Sequence, residues 1–489
     1  MVRWLWVLGG WLIVPALASA ATLSVWPATV TVGAGGVAHA SPFFDPDGGG
    51  PLPGRVINWE GAQWSLADVG IATVSPLGVV TGRSPGTTVL AASSGAVSAQ
   101  AVVDVRGPVF SRSLQTPDGR TRSFALYVPP GAGVSGPAPL VLGLHGGGGD
   151  GLSMAALTNM DAVAAREGFL VAYPDAVDGH WNDGRGIAAY LSQAQNIDDV
   201  RFLSRVIDAV AAEFAVDRRR VFAMGFSNGS LMAKRLAREW SFRIAAIAAG
   251  GSTLPRALAD GGGLARPVPL LDFHSVDDQH AFYSGGDLAG GNTLSVPELL
   301  HFWAQKNSCR PPAAAEPLPD AVDEGTSAER EDYLCPDGAA LIFYRFVGAG
   351  GGIGPGHTWP GGFQYFPMLS AFPEFSIGRT NQDVDMSETV WAFFAAHPLP
   401  APPESPAAVR LFPNPLRTGE AFFMDRVPFN ADVRVYDIRG RVRRRLVPDN
   451  AGQLIWDARD DEGRDLPSGI YFVHIDGGGH QTVKAVIQR

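Results

Sequence analysis

Val221-Phe222-Ala223-Met224-Gly225-Phe226-Ser227-Asn228-Gly229-Ser230-Leu231-Met232 is the stretch on which the fold turns. Its first four residues form an apolar run of buried-strand character. Downstream, Leu231, Met232, Leu236 and Trp240 recur at helical spacing among helix formers. A serine between two glycines at such a junction sits on a sharp strand-to-helix turn with its Oγ exposed. The bare G-x-S-x-G pattern is weak in a chain with 60 glycines, and it recurs at Gly82-Arg83-Ser84-Pro85-Gly86. That copy lies between Val79-Val80-Thr81 and Thr87-Thr88-Val89-Leu90, so it reads as strand–turn–strand and Ser84 as a turn residue. For Ser227 the competing role is a helix N-cap.

Around Ser227, from residue 109 to 398, strands and helices alternate, which predicts an α/β unit with a parallel sheet covered on both faces. Candidate strands are Leu140–Leu144, Phe169–Tyr173, Val221–Met224, Ile244–Ala248, Pro269–Phe273 and Leu341–Phe346. Helices are expected at Val200–Phe214, Pro297–Trp303 and Ser387–Ala396.

A nucleophilic serine needs a base, a group that orients the base, and donors for an oxyanion, gathered in loops beyond strand C-termini. His357, in Gly354-Pro355-Gly356-His357-Thr358-Trp359-Pro360, follows strand Leu341–Phe346 and is the candidate base. His280 is a weaker competitor, and His180 and His301 read as solvated or packing histidines. Strand Pro269–Phe273 runs into His274-Ser275-Val276-Asp277-Asp278, and either aspartate stands at the right strand end, the other serving as a turn or capping carboxylate. Strand Leu140–Leu144 runs into His145-Gly146-Gly147-Gly148-Gly149. An N–H from Gly146 or Gly147 would join that of Asn228 as the oxyanion donors.

The segment 109–398 resembles the secreted polyhydroxybutyrate depolymerases and feruloyl esterases, carbohydrate esterase family 1-like α/β-hydrolases. The resemblance is carried by Leu144-His145-Gly146, Asp199-Val200, Ser227-Asn228-Gly229 with Met232, the His274–Gly286 segment, Cys309, Cys335 and Gly356-His357-Thr358-Trp359-Pro360-Gly361. The family's aspartate loop reads H-G-T-x-D, then Tyr and two glycines. Aligned without gaps to His274 through Tyr283 and Gly285-Gly286, its catalytic position falls on Asp278 rather than Asp277. The resemblance thus implies Ser227, His357 and Asp278 as a catalytic triad, with no cofactor and no metal. Ser275-Val276 stands where the family has Gly-Thr, Gly147 where it commonly has cysteine, and Gln279-His280-Ala281 replaces an apolar, proline-bearing stretch. These departures leave the triad intact and bear on the pocket. Trp359 and Tyr283, near His357 and Asp278 in sequence, are candidates to flank an aryl or hydroxyalkanoate acyl group, with core packing as the alternative.

The rest of the 489 residues needs about three domains in all. Residues 1–20 read as a signal peptide: Arg3, an apolar run Trp4–Ala16 too short to span a membrane, and a small-x-small site at Ala18-Ser19-Ala20. Residues 21–106 pattern as all-β, and Trp64-Ser65, Ile71–Val74, Gly78–Gly82 and Pro85-Gly86-Thr87 resemble the bacterial immunoglobulin-like group 2 domain. The Asp45–Gly50 run reads as a surface loop rather than a calcium loop. Residues 399–406 are a proline-rich linker. Residues 407–489 return to β patterning. Phe412-Pro413-Asn414-Pro415, Val435–Arg441, Trp456-Asp457 and Pro467–Phe472 resemble the immunoglobulin-like domain of flagellar hook-capping proteins and, equally, the sorting domains of type IX secretion cargo. That implies export or sorting machinery as a partner and no share in catalysis.

A net charge of −10 argues against nucleic acid or anionic membrane as a general partner. The arginines between Arg439 and Arg445 read as a solvated strand face. Cys309 and Cys335, an even pair in an exported chain, predict a disulfide, and two cysteines are too few for a usual zinc site. The expectation is a secreted serine esterase on an α/β-hydrolase domain flanked by two small all-β immunoglobulin-like domains, its substrate an ester of polymeric or polysaccharide-linked kind. A serine peptidase on the same fold and a non-catalytic adhesion protein are the alternatives.

Overall fold

The computed structural model describes residues 22–45, 62–133, 136–241, 243–260, 264, 266–288, 291–322, 325–336, 338–348, 356–362, 377–400, 409–417, 421–425, 427–428, 431–448, 454–477 and 480–489. The expected leader 1–20, the loop after Asp45 and most of the proline-rich linker lie outside these residues.

Ser227 ends the middle strand of a parallel stack. Strands Leu341–Gly348, Leu270–Ser275, Ile247–Gly250, Val216–Phe226, Ala138–Leu144 and Leu170–Pro174 lie side by side in that order, each parallel to the next. Antiparallel strands close the row at both sides, Thr326–Asp332 beside Leu341–Gly348 and Thr121–Tyr127 beside Leu170–Pro174. Because successive residues of a strand face opposite ways, the apolar runs divide between two cores. Leu140, Leu142, Val221, Ala223, Ile247, Leu270 and Phe343 face one core, shared with helices Asp199–Glu213, Asn228–Glu239 and Val296–Asn307. Val141, Phe222, Met224, Ala248, Leu271, Phe273 and Phe346 face the other, covered by helices Gly151–Thr158, Met160–Glu167 and Met386–Ala396.

The strand expected at Ile244–Ala248 begins three residues later, at Ile247. The Arg266 guanidinium takes the carbonyls of Ile244 and Ala245, the latter at 3.0 Å, while the Ala245 N–H already donates to Val221 O at 2.7 Å. Ser84 lies between strands Val79–Gly82 and Gly86–Ser94 and donates its hydroxyl to Gly70 O at 2.7 Å, a turn residue in its contacts.

Strand Val97–Gln115 runs without a break across the expected boundary at 106–109. Its first part pairs with Gly86–Ser94 and Thr29–Ala34, its last part with Thr121–Tyr127 of the α/β sheet. The chain changes partners there instead of passing through a linker. Val30, Val32, Val80, Leu90, Val103 and Val105 form the core of the N-terminal β region. At the other end, strands Arg410–Phe412, Phe422–Asp425 and Leu454–Trp456 form one sheet, and Leu416–Arg417, His480–Gln488, Gly469–Asp476, Asp432–Asp437 and Val442–Leu446 form another. Phe422, Met424, Val433, Val435, Trp456 and Val473 lie in their shared core. Among the described residues no helix is long and apolar enough to cross a membrane.

Candidate active site

The six parallel strands end at one edge of the sheet, and every residue of the expected constellation follows one of those ends. The turn at Ser227 explains its two glycines. A Cβ at Gly225 would lie 2.1 Å from Gly229 O, and one at Gly229 would lie 2.0 Å from Leu144 O, so the strand, the helix and the neighbouring strand meet through bare backbone. Ser227 itself adopts φ 55°, ψ −119°, a conformation that costs a residue with a Cβ about 1–3 kcal/mol. It precedes helix Asn228–Glu239 but its side chain caps no backbone N–H, so the N-cap role does not account for it. Its own N–H donates to Gly250 O at 2.9 Å, which locks the turn.

Asp278, not Asp277, meets His357. The His357 Nδ1–H donates to Asp278 Oδ2 at 2.7 Å, while Asp278 Oδ1 accepts the N–H groups of His280 and Ala281, both at 2.8 Å. Asp277 is exposed. Burial pushes the Asp278 carboxyl up, but the charge and hydrogen bond of His357, with His274 and the Ala281 N–H, outweigh it and hold the group below the usual carboxylate range. An ionised carboxylate can only accept, so Nδ1 carries the imidazole proton and Nε2 is left basic.

His357 is held against the Ser227 turn. Its ring lies 4.8 Å from that of Phe226, the residue before Ser227, and its Cε1 would be 3.2 Å from a Cβ at Gly251, just beyond strand Ile247–Gly250. The His357 N–H donates to Ile377 O at 2.6 Å, and the Ser275 hydroxyl donates to Gly356 O at 2.9 Å. Gly356 admits no side chain, since a Cβ there would sit 1.5 Å from Ile377 O. Ser275, one of the departures from the family pattern, therefore anchors the histidine loop. His280, the weaker candidate base, has its ring 5.4 Å from that of His357, and burial followed by the charge of His357 lowers its pKa.

Gly146 and Gly147 lie on the other side of Ser227. A Cβ at Gly146 would be 3.4 Å from Ser227 Cβ, and one at Gly147 would be 3.7 Å from Asn228 Cβ. The structure thus brings Ser227, His357, Asp278, Gly146, Gly147 and Asn228 to one place. It takes Trp359 elsewhere. That indole is 1% exposed, donates its only polar hydrogen to Ser387 Oγ at 3.0 Å and meets Phe273 edge-on at 5.2 Å. A ring so enclosed has no face for an acyl group, and packing is its role. Tyr283 is half-buried and sits edge-on to His274 at 5.8 Å, bracing the aspartate loop. Cys309 and Cys335 are joined in a disulfide.

Sequence reasoning took His180 as a solvated or packing histidine and passed over Trp181-Asn182-Asp183 after it, in the loop beyond strand Leu170–Pro174. His180 stacks on Tyr190 at 3.9 Å, and its ring edge would lie 3.2 Å from a Cβ at Gly147, which makes the pair a wall beside the glycine loop. The position of this loop at the strand C-terminal edge was the available signal. Another buried pair, Lys234 Nζ to Asp272 Oδ2 at 2.6 Å, ties the helix after Ser227 to the strand before Asp278. Among the described residues no group of three or more His, Cys, Asp or Glu is placed to hold a metal ion.

The family described as Esterase PHB depolymerase matches residues 122–254. NocK of Nocardia uniformis subsp. tsuyamanensis, named as an esterase not yet proven, is 29% identical over 288 residues, 56% of this chain and 79% of that protein. Feruloyl esterase C of Emericella nidulans is 27% identical over 252 residues, 49% of this chain and 82% of the relative. Feruloyl esterase B of Piromyces equi is 27% identical over 179 residues, and there the chain spans about a third of the relative's length, 33%. Among solved structures, the acetyl xylan esterase from Aspergillus awamori aligns at 16% identity with a TM-score of 0.35, covering 51% of this chain and 94% of that one. The chain is a carboxylic ester hydrolase.

Proposed function

We propose that the chain is a secreted serine esterase that cleaves its ester through Ser227, His357 and Asp278 and a covalent acyl-enzyme. The observation that carries this reading is the 2.7 Å bond from His357 to Asp278, with the imidazole packed on the Phe226 ring next to Ser227, whose turn is strained. His357 Nε2 removes the hydroxyl proton as Ser227 Oγ bonds to the ester carbon, and the carbonyl electrons move onto oxygen. The N–H of Asn228 and one from Gly146 or Gly147 take that oxyanion. Collapse breaks the bond to the alcohol oxygen, which leaves with the proton from His357. Water then repeats the sequence on the acyl-enzyme, releasing the acid and restoring the serine.

Polyhydroxyalkanoate or feruloyl or acetyl esters of polysaccharide are the substrate classes, on the strength of what the similar proteins are named for. The apolar run Trp4–Ala16 with its cleavage site supports export. Residues 21–106 and 407–489, which hold strands and no helix among the described residues, serve as immunoglobulin-like flanks, the second in sorting or attachment. Turnover of feruloyl esters, acetylated xylan and polyhydroxybutyrate should be measured on wild type and Ser227→Ala, with labelling by a fluorophosphonate. Turnover of at least one ester, lost with the label in Ser227→Ala, is expected; turnover that survives Ser227→Ala overturns the reading.

A further inference from the structure

Asn228 follows the strained Ser227 and opens the helix, so its N–H has no partner within that helix. The Ser227 N–H is already given to Gly250 O, and those of Gly148 and Gly149 to Gly179 O and Gly146 O. Oxyanion binding therefore falls to the main chain of Asn228 and of Gly146 or Gly147, on two different strand-end loops. Their mutual placement has to be held by something else.

One segment holds both. The Trp181 N–H donates to Asn228 Oδ1 at 2.7 Å, and Asn228 Nδ2 donates to Asp183 Oδ2. A donor at one end and a carboxylate at the other permit a single orientation of this amide. Two residues before Asp183, the Trp181 indole N–H donates to His145 O at 3.0 Å, at the start of the glycine loop. The bond from Gly148 N–H to Gly179 O joins that loop to the same segment a second time. Asp183 is fully buried, and it also accepts from Arg185 Nε at 2.9 Å, Arg185 Nη2 at 2.7 Å and Gln193 Nε2 at 3.1 Å. The segment is pinned from behind as well: Asn182 N–H donates to Asp199 Oδ2 at 2.7 Å, and Arg235 Nη1 donates to Asn182 O at 2.6 Å.

We propose that Asp183 is a positioning residue for the oxyanion site, fixing Asn228 through its side chain, with Trp181 tying the same segment to the Gly146–Gly147 loop. Asp183 touches no reacting atom. It acts through Asn228, whose side chain would otherwise compete locally for backbone groups and loosen the first turn of the helix. The inference rests on the esterase reading above.

The test uses the full chain and a small soluble ester. Asp183→Ala and Asn228→Ala should each lower kcat about 30- to 100-fold, the scale of a misplaced oxyanion donor, with KM changed less than about threefold. Affinity for a trifluoromethyl ketone, which forms an oxyanion adduct on a serine, should fall by the same factor as kcat/KM. Asp183→Asn keeps an acceptor for Asn228 Nδ2 and should recover most of the loss. The double variant Asp183→Ala/Asn228→Ala should be no worse than the poorer single one. Because Asp183→Ala strands the buried Arg185, a fall in its thermal midpoint is expected. Asn228→Ala buries no new charge, so it is the deciding variant. A folded Asn228→Ala with kcat within twofold of wild type, or losses that multiply in the double variant, overturns the inference. Ser227→Ala separates the two failures. If it is inactive while the Asp183 and Asn228 variants behave as wild type, only this inference falls; if it keeps wild-type turnover, the esterase reading falls with it.

Discussion

At Ser227 the chain holds an unfavourable backbone conformation, and at Asp278 a buried carboxylate; each is stabilised by named neighbours. Asp278 uses three acceptor positions on His357, His280 N–H and Ala281 N–H, while Asp277 next to it stands in solvent. Asp278→Asn should therefore lower kcat by about three to four orders of magnitude, because an amide can present a donor to Nδ1 and favour the wrong tautomer. Asp277→Asn should change it less than about threefold. Steady-state kinetics on a small ester checks both, and the reverse ranking would move the orienting role by one residue. The serine turn, the His357 loop and the glycine loop were legible as candidates because each short motif follows a strand where strands and helices alternate, a context that the second G-x-S-x-G at Gly82–Gly86 lacks. The choice between Asp277 and Asp278 came from resemblance, since both sit at the same strand end. Asp183 and Tyr190 were not legible: they belong to an irregular segment, and their contacts arise only once residues 176–190 fold over the glycine loop. Trp359 misled because closeness in sequence to His357 says nothing about which way an indole faces.

Among the elements, unbroken apolar runs marked the parallel strands, since burial on both faces removes the polar positions. Boundaries were less legible where a side chain takes backbone carbonyls at a strand's start, as Arg266 does at Ile244 and Ala245. Helix Val296–Asn307 and the strand before His357 meet at the disulfide, where Arg310 and Leu334 also exchange two backbone bonds of 2.9 Å. Reduction should cost at most about 3–4 kcal/mol in the chain-entropy model and lower the thermal midpoint by several degrees. Calorimetry with and without reductant checks this, and an unchanged midpoint would show that the backbone pair suffices. Where helix Met160–Glu167 meets the N-terminal β region, buried Asp161 accepts the Tyr173 hydroxyl at 2.7 Å, and its other oxygen would lie 3.5 Å from a Cβ at Gly36. Burial pushes its carboxyl up to about 7, against the hydrogen bond from Tyr173. The folded state thus keeps a proton that the unfolded chain releases near pH ~4. Its contribution is fully present below about pH 4 and is lost as pH rises toward about 7. Asp161→Asn keeps an acceptor for Tyr173 without that proton, so its midpoint relative to wild type should rise from about pH 5 to about pH 8. A difference that does not vary with pH would contradict the assignment.

At the scale of the whole molecule, the described polar contacts between the α/β unit and the chain beyond His397 lie at Arg219 and Asp208. Leu399 is bound in both directions to Arg219 on the strand that carries Ser227, its N–H donating to Arg219 O at 2.8 Å and its O accepting from Arg219 Nε at 2.9 Å. Beyond it, Arg445 of the tail approaches Asp208 at 3.9 Å, a partly exposed pair of the kind worth about 0–1 kcal/mol. Asp208 keeps Arg243 at 2.6 Å without it. None of the tail's described contacts reaches Ser227, His357, Asp278 or the 176–190 segment. Truncation after Pro402 keeps Leu399 in place, so purified protein should hydrolyse a small ester at a rate within about twofold of the full chain. Truncation after His397 removes that double bond to Arg219 and should lower both the thermal midpoint and the yield of folded protein. If the tail sorts or attaches, the Pro402 truncation in the native host should reduce the amount exported; if it binds an insoluble substrate, only hydrolysis of polymer should suffer. Loss of small-ester turnover in a Pro402 truncation that is folded by circular dichroism would show that the tail completes the active site, and the separation of roles drawn from Leu399 and Arg445 would be wrong.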